Sequence, residues 1–348
     1  MLANRRAGGR ARFHDIRQAM RKDVVVIGAS AGGIDALRGL CGALPGRFAA
    51  SVFVVVHTAA ESPGVLAAIL DRAGPLPAVA VEQRIRFRPA AVYVAPPDHH
   101  IVIAPGVVRP TRGPKENRFR PAIDPLFRSA AQTYGPRVIG VILTGGLDDG
   151  TAGLWTVKQL GGTAIVQDPA EALVDSMPRN ALQHVRVDHC VRLADIAPLL
   201  VQLSSETIEA QGGYVVPERV QIEVDIAKEK AAVDAGVQKL GAPSNYACPE
   251  CHGVLLQLDE GGRVRFRCHT GHAYSAEALL SELDESVESA LWSSVRTLEE
   301  KRLLIEHLAE HARRSNDAAT VAALLERSRQ AHERAEQLRR ALLKRDKA

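Results

Sequence analysis

Three polar side chains within the first 150 residues stand where acyl-transfer chemistry could run. Ser30 sits in Gly28-Ala-Ser-Ala-Gly-Gly33, directly after the apolar run Val24-Val-Val-Ile27. A strand, a sharp glycine-bracketed turn and a helix form the setting that exposes a serine as a nucleophile. Glycines leave room for a substrate carbonyl, and the amides that open the helix can receive an oxyanion. On the glycine pattern alone, a phosphate-binding turn of a dinucleotide fold fits equally well. The next apolar run separates the two readings. A dinucleotide fold needs Asp or Glu at its end to hold a ribose, whereas Val52-Phe-Val-Val-Val56 ends in His57. A third run, Val138–Leu143, leads into Thr144-Gly-Gly-Leu-Asp-Asp-Gly150. An Asp in such a loop is ordinarily a cap or turn former. Ser30, His57 and Asp149, each at the carboxyl end of a strand, can instead form a nucleophile, base and acid relay. Such a relay is defined by geometry and not by chain order.

A second group has metal-ligand spacing. Cys248-Pro-Glu-Cys251 and Cys268-His-Thr-Gly-His272 give Cys-x₂-Cys, 16 intervening residues and Cys-x₃-His. Two close ligand pairs on turns, joined by a hairpin, are the layout of a tetrahedral zinc ribbon, and four ligands make it structural. Cys248, Cys251, Cys268 and His272 are the expected ligands, with His252 and His269 as alternative nitrogens. The alternation Arg263-Val-Arg-Phe-Arg267 supplies a strand before the second pair. The competing reading is three thiols without metal. Cys41 and Cys190 sit alone in apolar segments and read as buried thiols.

The elements that must position these groups follow from the hydrophobic pattern. From Asp23 to Leu203, β-branched runs (also Ala91–Ala95 and Gly162–Gln167) alternate with helical patterns. Apolar strands separated by helices predict an α/β fold: a doubly wound, mainly parallel sheet in a Rossmann-like three-layer arrangement. The expected organisation is a basic tail at 1–22, a catalytic domain at 23–205, a polar linker at 206–246, a Cys/His module at 247–282 and a helical tail at 283–348. In the tail Leu283, Val287, Leu291 and Leu298 share one face, and a break falls near Arg314-Ser-Asn-Asp317. This face is expected to pack as a hairpin or to mediate self-association, or to serve as a docking or regulatory element. Met20, just before the first strand, is an alternative start to Met1.

Charge and hydropathy exclude several classes. The formal charge is +4, but residues 1–22 hold seven basic side chains and one acidic one, which leaves −2 for the rest. A near-neutral body lacks the broad basic face that nucleic-acid binding requires. No apolar run approaches the roughly 20 residues of a membrane span, and no secretory leader is legible, so a cytoplasmic location without membrane insertion is expected.

Together these residues resemble the catalytic domain of the chemotaxis protein-glutamate methylesterase family (CheB-type). Val-Ile-Gly-Ala-Ser-Ala-Gly-Gly33 is similar to the nucleophile turn, and Val-Val-Val-His57 to the histidine strand. Val92-Tyr-Val-Ala-Pro96 with His100, then Asn117-Arg-Phe-Arg-Pro-Ala-Ile-Asp-Pro-Leu-Phe-Arg-Ser129, resemble segments leading to the site. Leu143-Thr-Gly with Asp149-Gly150 is similar to the aspartate loop, and Gln167-Asp168 and Met177-Pro178 to the closing segment. The resemblance implies Ser30 as nucleophile, His57 as base, Asp149 as its orienting partner, and the amides of Ala31 and Gly146 as the oxyanion hole. It implies no catalytic cofactor. The implied reaction is hydrolysis of glutamyl γ-methyl esters, and deamidation of glutamines, on a methylated chemoreceptor or related protein. Two departures stand out. Where the family's loop reads Gly-Met-Gly-Asn-Asp-Gly, this chain reads Gly145-Gly-Leu-Asp-Asp-Gly150. Only about 22 residues precede the first strand, so the family's N-terminal receiver domain, with its phosphorylation control, is not expected. These departures motivate the alternative of a non-catalytic signalling scaffold on the same fold.

Overall fold

The computed structural model describes residues 20–208 and 214–345. The expected basic tail lies outside the described residues, except for 20–22. By internal packing the chain forms two compact units, one ending at Ala276 and one beginning at Glu277.

In the first unit the β-branched runs form a seven-stranded parallel sheet. Its strands are β1 (Val24–Ala29), β2 (Ser51–Val56), β3 (Ala78–Ala80) and β4 (Ala91–Val94); a hairpin of β5 (His100–Ala104) and β6 (Val107–Thr111) follows; and the sheet continues with β7 (Val138–Ile142), β8 (Thr163–Gln167) and β9 (His189–Val191). The sheet order is β9-β8-β7-β1-β2-β4-β3. Ile27 pairs with Val54 on one side and Val141 on the other. Every residue of β1, β2 and β7 is buried, as strands covered on both faces must be. Val25 and Ile27 point to a layer containing α1 (Gly33–Ala43), α2 (Leu66–Ala73) and α6 (Leu193–Ser205). Val24 and Val26 point to α3 (Ile123–Tyr134), α4 (Thr151–Gln159) and α5 (Ser176–His184). The chain leaves β1 toward β2 and returns on its other side through β7. The carboxyl ends of β1, β2 and β7 therefore meet at the topological switch point, where α/β sheets bind ligands.

Three expectations are corrected. Of the span expected as a polar linker, the described part from 214 onward is folded: it holds α7 (Glu218–Ala227) and β10 (Ala242–Ala247), and Val220, Ile222, Val224 and Ile226 are buried. Its apolar residues alternate with charged ones, which hides a helix that packs on α3. Cys190 is exposed while Cys41 is buried; β9 is a three-residue edge strand, covered on one side only. The third correction, to the face of the helical tail, falls in the second unit. The Cys/His segment forms an antiparallel sheet of β10, β11 (Val254–Glu260), β12 (Arg263–Cys268) and β13 (Ala273–Ser275).

The second unit contains most of α8 (Ala276–Arg314), then a turn and α9 (Ala318–Arg345). Asp317 caps α9 by accepting the Thr320 amide at 3.0 Å. Val295, Ile305, Ala309 and Ala312 on α8 are buried, as are Ser328, Ala331, Ala335 and Leu342 on α9. Their three- and four-residue spacings are those of a coiled-coil hairpin. Leu283 and Val287, on the face expected to pack as a hairpin or to mediate self-association, are exposed and take no part in the hairpin's packing. At 28 residues against 39, α9 ends before it can cover them. Among the described residues no helix is long and apolar enough to cross a membrane.

Candidate active site

Ser30 follows β1, His57 follows β2 and Asp149 lies in the loop after β7. Ser30 Oγ is 3.1 Å from His57 Nδ1, and His57 Nε2 is 2.7 Å from Asp149 Oδ2. The side chains of His57 and Asp149 are 3% and 1% exposed. A carboxylate only accepts, which assigns the proton to Nε2 and leaves the Nδ1 lone pair facing the serine hydroxyl. Phe119 lies flat on the imidazole, with ring centroids 3.7 Å apart and planes 6° from parallel.

Asp149 is held from several directions. Besides His57, its Oδ2 accepts the Ile123 amide at 2.7 Å, and its Oδ1 accepts Asn117 Nδ2 at 2.9 Å. Burial pushes this carboxyl up, but the hydrogen bonds from His57, Ile123 and Asn117 outweigh burial and hold it below the usual carboxylate range. Its neighbour Asp124 accepts the Gly153 amide at 2.6 Å and also contacts Asn117. Burial, together with the adjacent Asp149 charge, pushes Asp124 up to about 7. His100 fixes the approach to Ile123. Its Nδ1 accepts the Ala122 amide at 3.1 Å and its Nε2 donates to the Pro114 carbonyl at 3.0 Å. Burial lowers its pKa, so it stays neutral in this bridging role.

The turn carrying Ser30 and the loop carrying Asp149 are stitched together. The Ser30 amide donates to the Thr144 carbonyl at 3.0 Å, and Thr144 Oγ1 lies 3.0 Å from the Ala31 carbonyl. A Cβ on Gly145 would come within 2.2 Å of Met177 and 2.8 Å of Ser30, so only glycine lets the loop approach this closely. Gly32, at φ 76°, begins α1 in the left-handed region. Among the described residues the amides of Ala31 and Gly146 donate to no protein acceptor. Ser30, Ala31 and His57 open into a cleft of roughly 1010 Å³, which Gly146 does not line. Its rim carries Asp35, Glu61, Lys115, Arg118 and Arg120, together with Leu173, which is 78% exposed. Leu147, in the position the family commonly gives to glycine, has φ 60°.

The CheB methylesterase model matches residues 25–200. The chain belongs to the CheB methylesterase family. A candidate protein-glutamate methylesterase/protein-glutamine glutaminase of Leptospira interrogans is 37% identical over 191 residues, 55% of this chain and 99% of that protein. A protein-glutamate methylesterase/protein-glutamine glutaminase of Anaeromyxobacter dehalogenans is 38% identical, over 54% of this chain and 55% of its own length. The crystal structure of the Thermotoga maritima CheB methylesterase catalytic domain superposes with a TM-score of 0.50 at 34% identity, covering 52% of this chain and 98% of that one. As a member of this family the chain is a hydrolase.

Beyond the residues matched to the CheB methylesterase model, Cys248, Cys251, Cys268 and His272 converge, their ligand atoms all within 4.8 Å of one another. The Cys251 and Cys268 sulfurs are 3.6 Å apart, and His272 Nδ1 is 3.7 Å from Cys248 and 3.6 Å from Cys268. Bonds of about 2.0–2.3 Å to a tetrahedral zinc set ligand separations of about 3.5–3.8 Å, so the cluster has the size of a zinc site. The Thr270 hydroxyl caps one face, at 3.0–3.2 Å from Cys268, Cys251 and His272. His252 and His269 are exposed and stand outside this set. The module is joined to the CheB methylesterase domain by buried ion pairs. Arg267 reaches Glu116 at 2.9 Å, Arg265 reaches Glu223 at 3.1 Å, and Arg128 contacts both glutamates. Burial opposes ionisation of Glu116 and Glu223, but the guanidinium groups hold both well below the usual carboxylate range.

Asn117, Phe119 and Asp124 lie within the Asn117–Ser129 motif, whose pattern alone assigns none of them a role, and nothing local marks Glu116 or Ser275. The signal the sequence does carry is the arginine alternation at 263–267, which marks a strand without showing what its charges face.

Proposed function

We propose that this chain hydrolyses glutamyl γ-methyl esters, and deamidates glutamine side chains, on chemoreceptor-type proteins in the cytoplasm. The observation that carries the reading is the hydrogen-bonded series Ser30, His57, Asp149 at the mouth of an open cleft on the switch edge of the sheet. Ser30 Oγ attacks the γ-carbonyl while its proton passes to His57 Nδ1. Asp149, ionised by virtue of its three donors, stabilises the imidazolium that forms. The oxyanion is received by the amides of Ala31 and Gly146, neither of which donates to a protein acceptor among the described residues. The tetrahedral intermediate expels methanol, or ammonia in deamidation, which takes its proton from His57. Water then attacks the acyl-enzyme by the reverse proton route, releasing glutamate and free Ser30. The charged rim around exposed Leu173 suits a polypeptide substrate presenting both apolar and ionic groups.

The Cys/His module would hold one zinc through Cys248, Cys251, Cys268 and His272 as a structural ion. Three free cysteines kept for a metal also fit a reducing cytoplasm. The decisive experiment is methanol release from a methylated receptor fragment. Release by the wild-type chain and none by a folded Ser30→Ala variant is expected. Equal release by both would overturn the assignment.

A further inference from the structure

The Cys/His module reaches the catalytic aspartate through one short strand. His272 is followed directly by β13, whose three residues face two ways. The Tyr274 hydroxyl lies 3.8 Å from Cys248 Sγ, on the metal side. Its two neighbours face the catalytic loops. The Ala273 carbonyl accepts the Asn117 amide at 2.8 Å, the Ser275 amide donates to Asn117 Oδ1 at 2.8 Å, and the Ser275 hydroxyl donates to Asp148 at 2.6 Å. Asn117 is thereby fixed at its backbone and at its side-chain oxygen, and its Nδ2 is the donor on Asp149 Oδ1. Asn117 is 3% exposed and sits at φ 49°, in the left-handed region that a non-glycine residue keeps only when its surroundings hold it there. Arg118 follows at φ 76°, and Phe119, stacked on His57, comes next. The surroundings that hold this turn include β13.

We infer that metal binding by Cys248, Cys251, Cys268 and His272 is coupled to the order of the catalytic aspartate. The route runs through β13, with Ser275 and Asn117 acting as positioning residues. The inference rests on the metal-site and hydrolase readings above. The physical step is simple. The second ligand pair is anchored at the end of β12, where the Cys268 amide donates to the His272 carbonyl at 3.0 Å. A bound ion cross-links this turn to Cys248 and Cys251, and so fixes where β13 begins. Without it the turn keeps its backbone pairing to β12 and the Arg267 bond to the Gly271 carbonyl, but loses its only covalent-strength tie to Cys248 and Cys251. Asn117 then loses two of its fixed partners, and its strained backbone can relax, taking the Asp149 donor with it. Groups that orient ligands or catalytic side chains from behind commonly change activity 10- to 100-fold.

The test uses the full chain as purified with zinc, the same protein stripped by a chelator under reducing conditions, and the stripped protein with zinc returned. Three quantities are read: zinc per chain, amide hydrogen exchange at 116–124 and 147–151, and the rate at which a fluorophosphonate ester labels Ser30. One zinc per chain is expected. Stripping should raise exchange in both segments and slow labelling at least tenfold, and zinc should restore both. Exchange in β1 and β7 should not change, which separates coupling from general unfolding. Ser275→Ala, which keeps all four ligands, should keep its zinc, lower kcat severalfold and leave KM unchanged. A zinc ratio near zero overturns the metal site and the coupling together. Unchanged exchange in stripped protein that had held zinc overturns the coupling alone. Zinc-dependent exchange in a protein whose Ser30 never reacts overturns the hydrolase reading and leaves the coupling standing.

Discussion

Two buried polar regions lie side by side in this protein, and they are built on opposite principles. The Ser30, His57 and Asp149 series is short and opens on one side to the cleft, with a single anion at its closed end. The second region joins Arg128, Arg265 and Arg267 to Glu116, Glu223 and Glu260, closed on every side and near charge balance. A desolvated charge is costly without a partner, and the two regions meet that cost differently. The ion-pair cluster uses opposite charges, which fix two pieces of the fold against each other. The Ser30, His57 and Asp149 series uses neutral donors, the Ile123 amide and Asn117, which in the proposed reaction leave Asp149 free to respond to charge forming on His57. Asp124 lies between the two regions, between the Asp149 charge that raises its pKa and the Arg128 charge that lowers it.

That contrast predicts opposite phenotypes. Ser30→Ala should lower ester hydrolysis by about 10⁵–10⁶-fold while Tm stays within about 2 °C of wild type. Asp149→Asn should cost about 10⁴-fold in kcat, because the wrong tautomer of His57 is then favoured. Arg267→Met should do the reverse. It leaves Glu116 short of a guanidinium partner and should lower stability by about 3–5 kcal/mol in denaturant unfolding. If the triad variants unfold easily and Arg267→Met only slows catalysis, the contrast is wrong. Asp124 gives a subtler test. Between about pH 4 and 7 the folded state keeps a proton on Asp124 that the unfolded chain has lost. Stability therefore falls as pH rises through that window. The Tm difference between Asp124→Asn and wild type should shift in favour of the variant from pH 5 to pH 8, and a constant difference would refute the raised pKa. The smallest effect is expected at Leu147, whose φ of 60° is strained for a branched side chain. Leu147→Gly should raise stability by about 1 kcal/mol.

Strands and site residues were legible because both are short-range patterns. Val24–Ile27 announces a buried strand, and the glycines after it announce a turn around Ser30. The same holds for His57 and the 144–150 loop. Long-range pairing was not legible. Nothing near Asn117 indicates that its partner is Ser275, 158 positions away. Arg263, Arg265 and Arg267 look like the solvent side of an alternating strand, and only the fold reveals glutamates on the facing surface. α7 is hidden in the sequence for the same reason, since its buried Glu223 reads as a surface charge until Arg128 and Arg265 are placed beside it.

Phe119 has a consequence for how protons travel. With an aromatic ring lying parallel to the imidazole at 3.7 Å, His57 cannot turn about its Cβ–Cγ bond without expelling its neighbour. In the proposed reaction both proton transfers, from Ser30 and to the departing methoxide, then use the same Nδ1 with the ring at rest. The leaving group, and later the hydrolytic water, must therefore come to the nitrogen. The enzyme's choice among esters would be set by which of them can bring the departing oxygen to one fixed point.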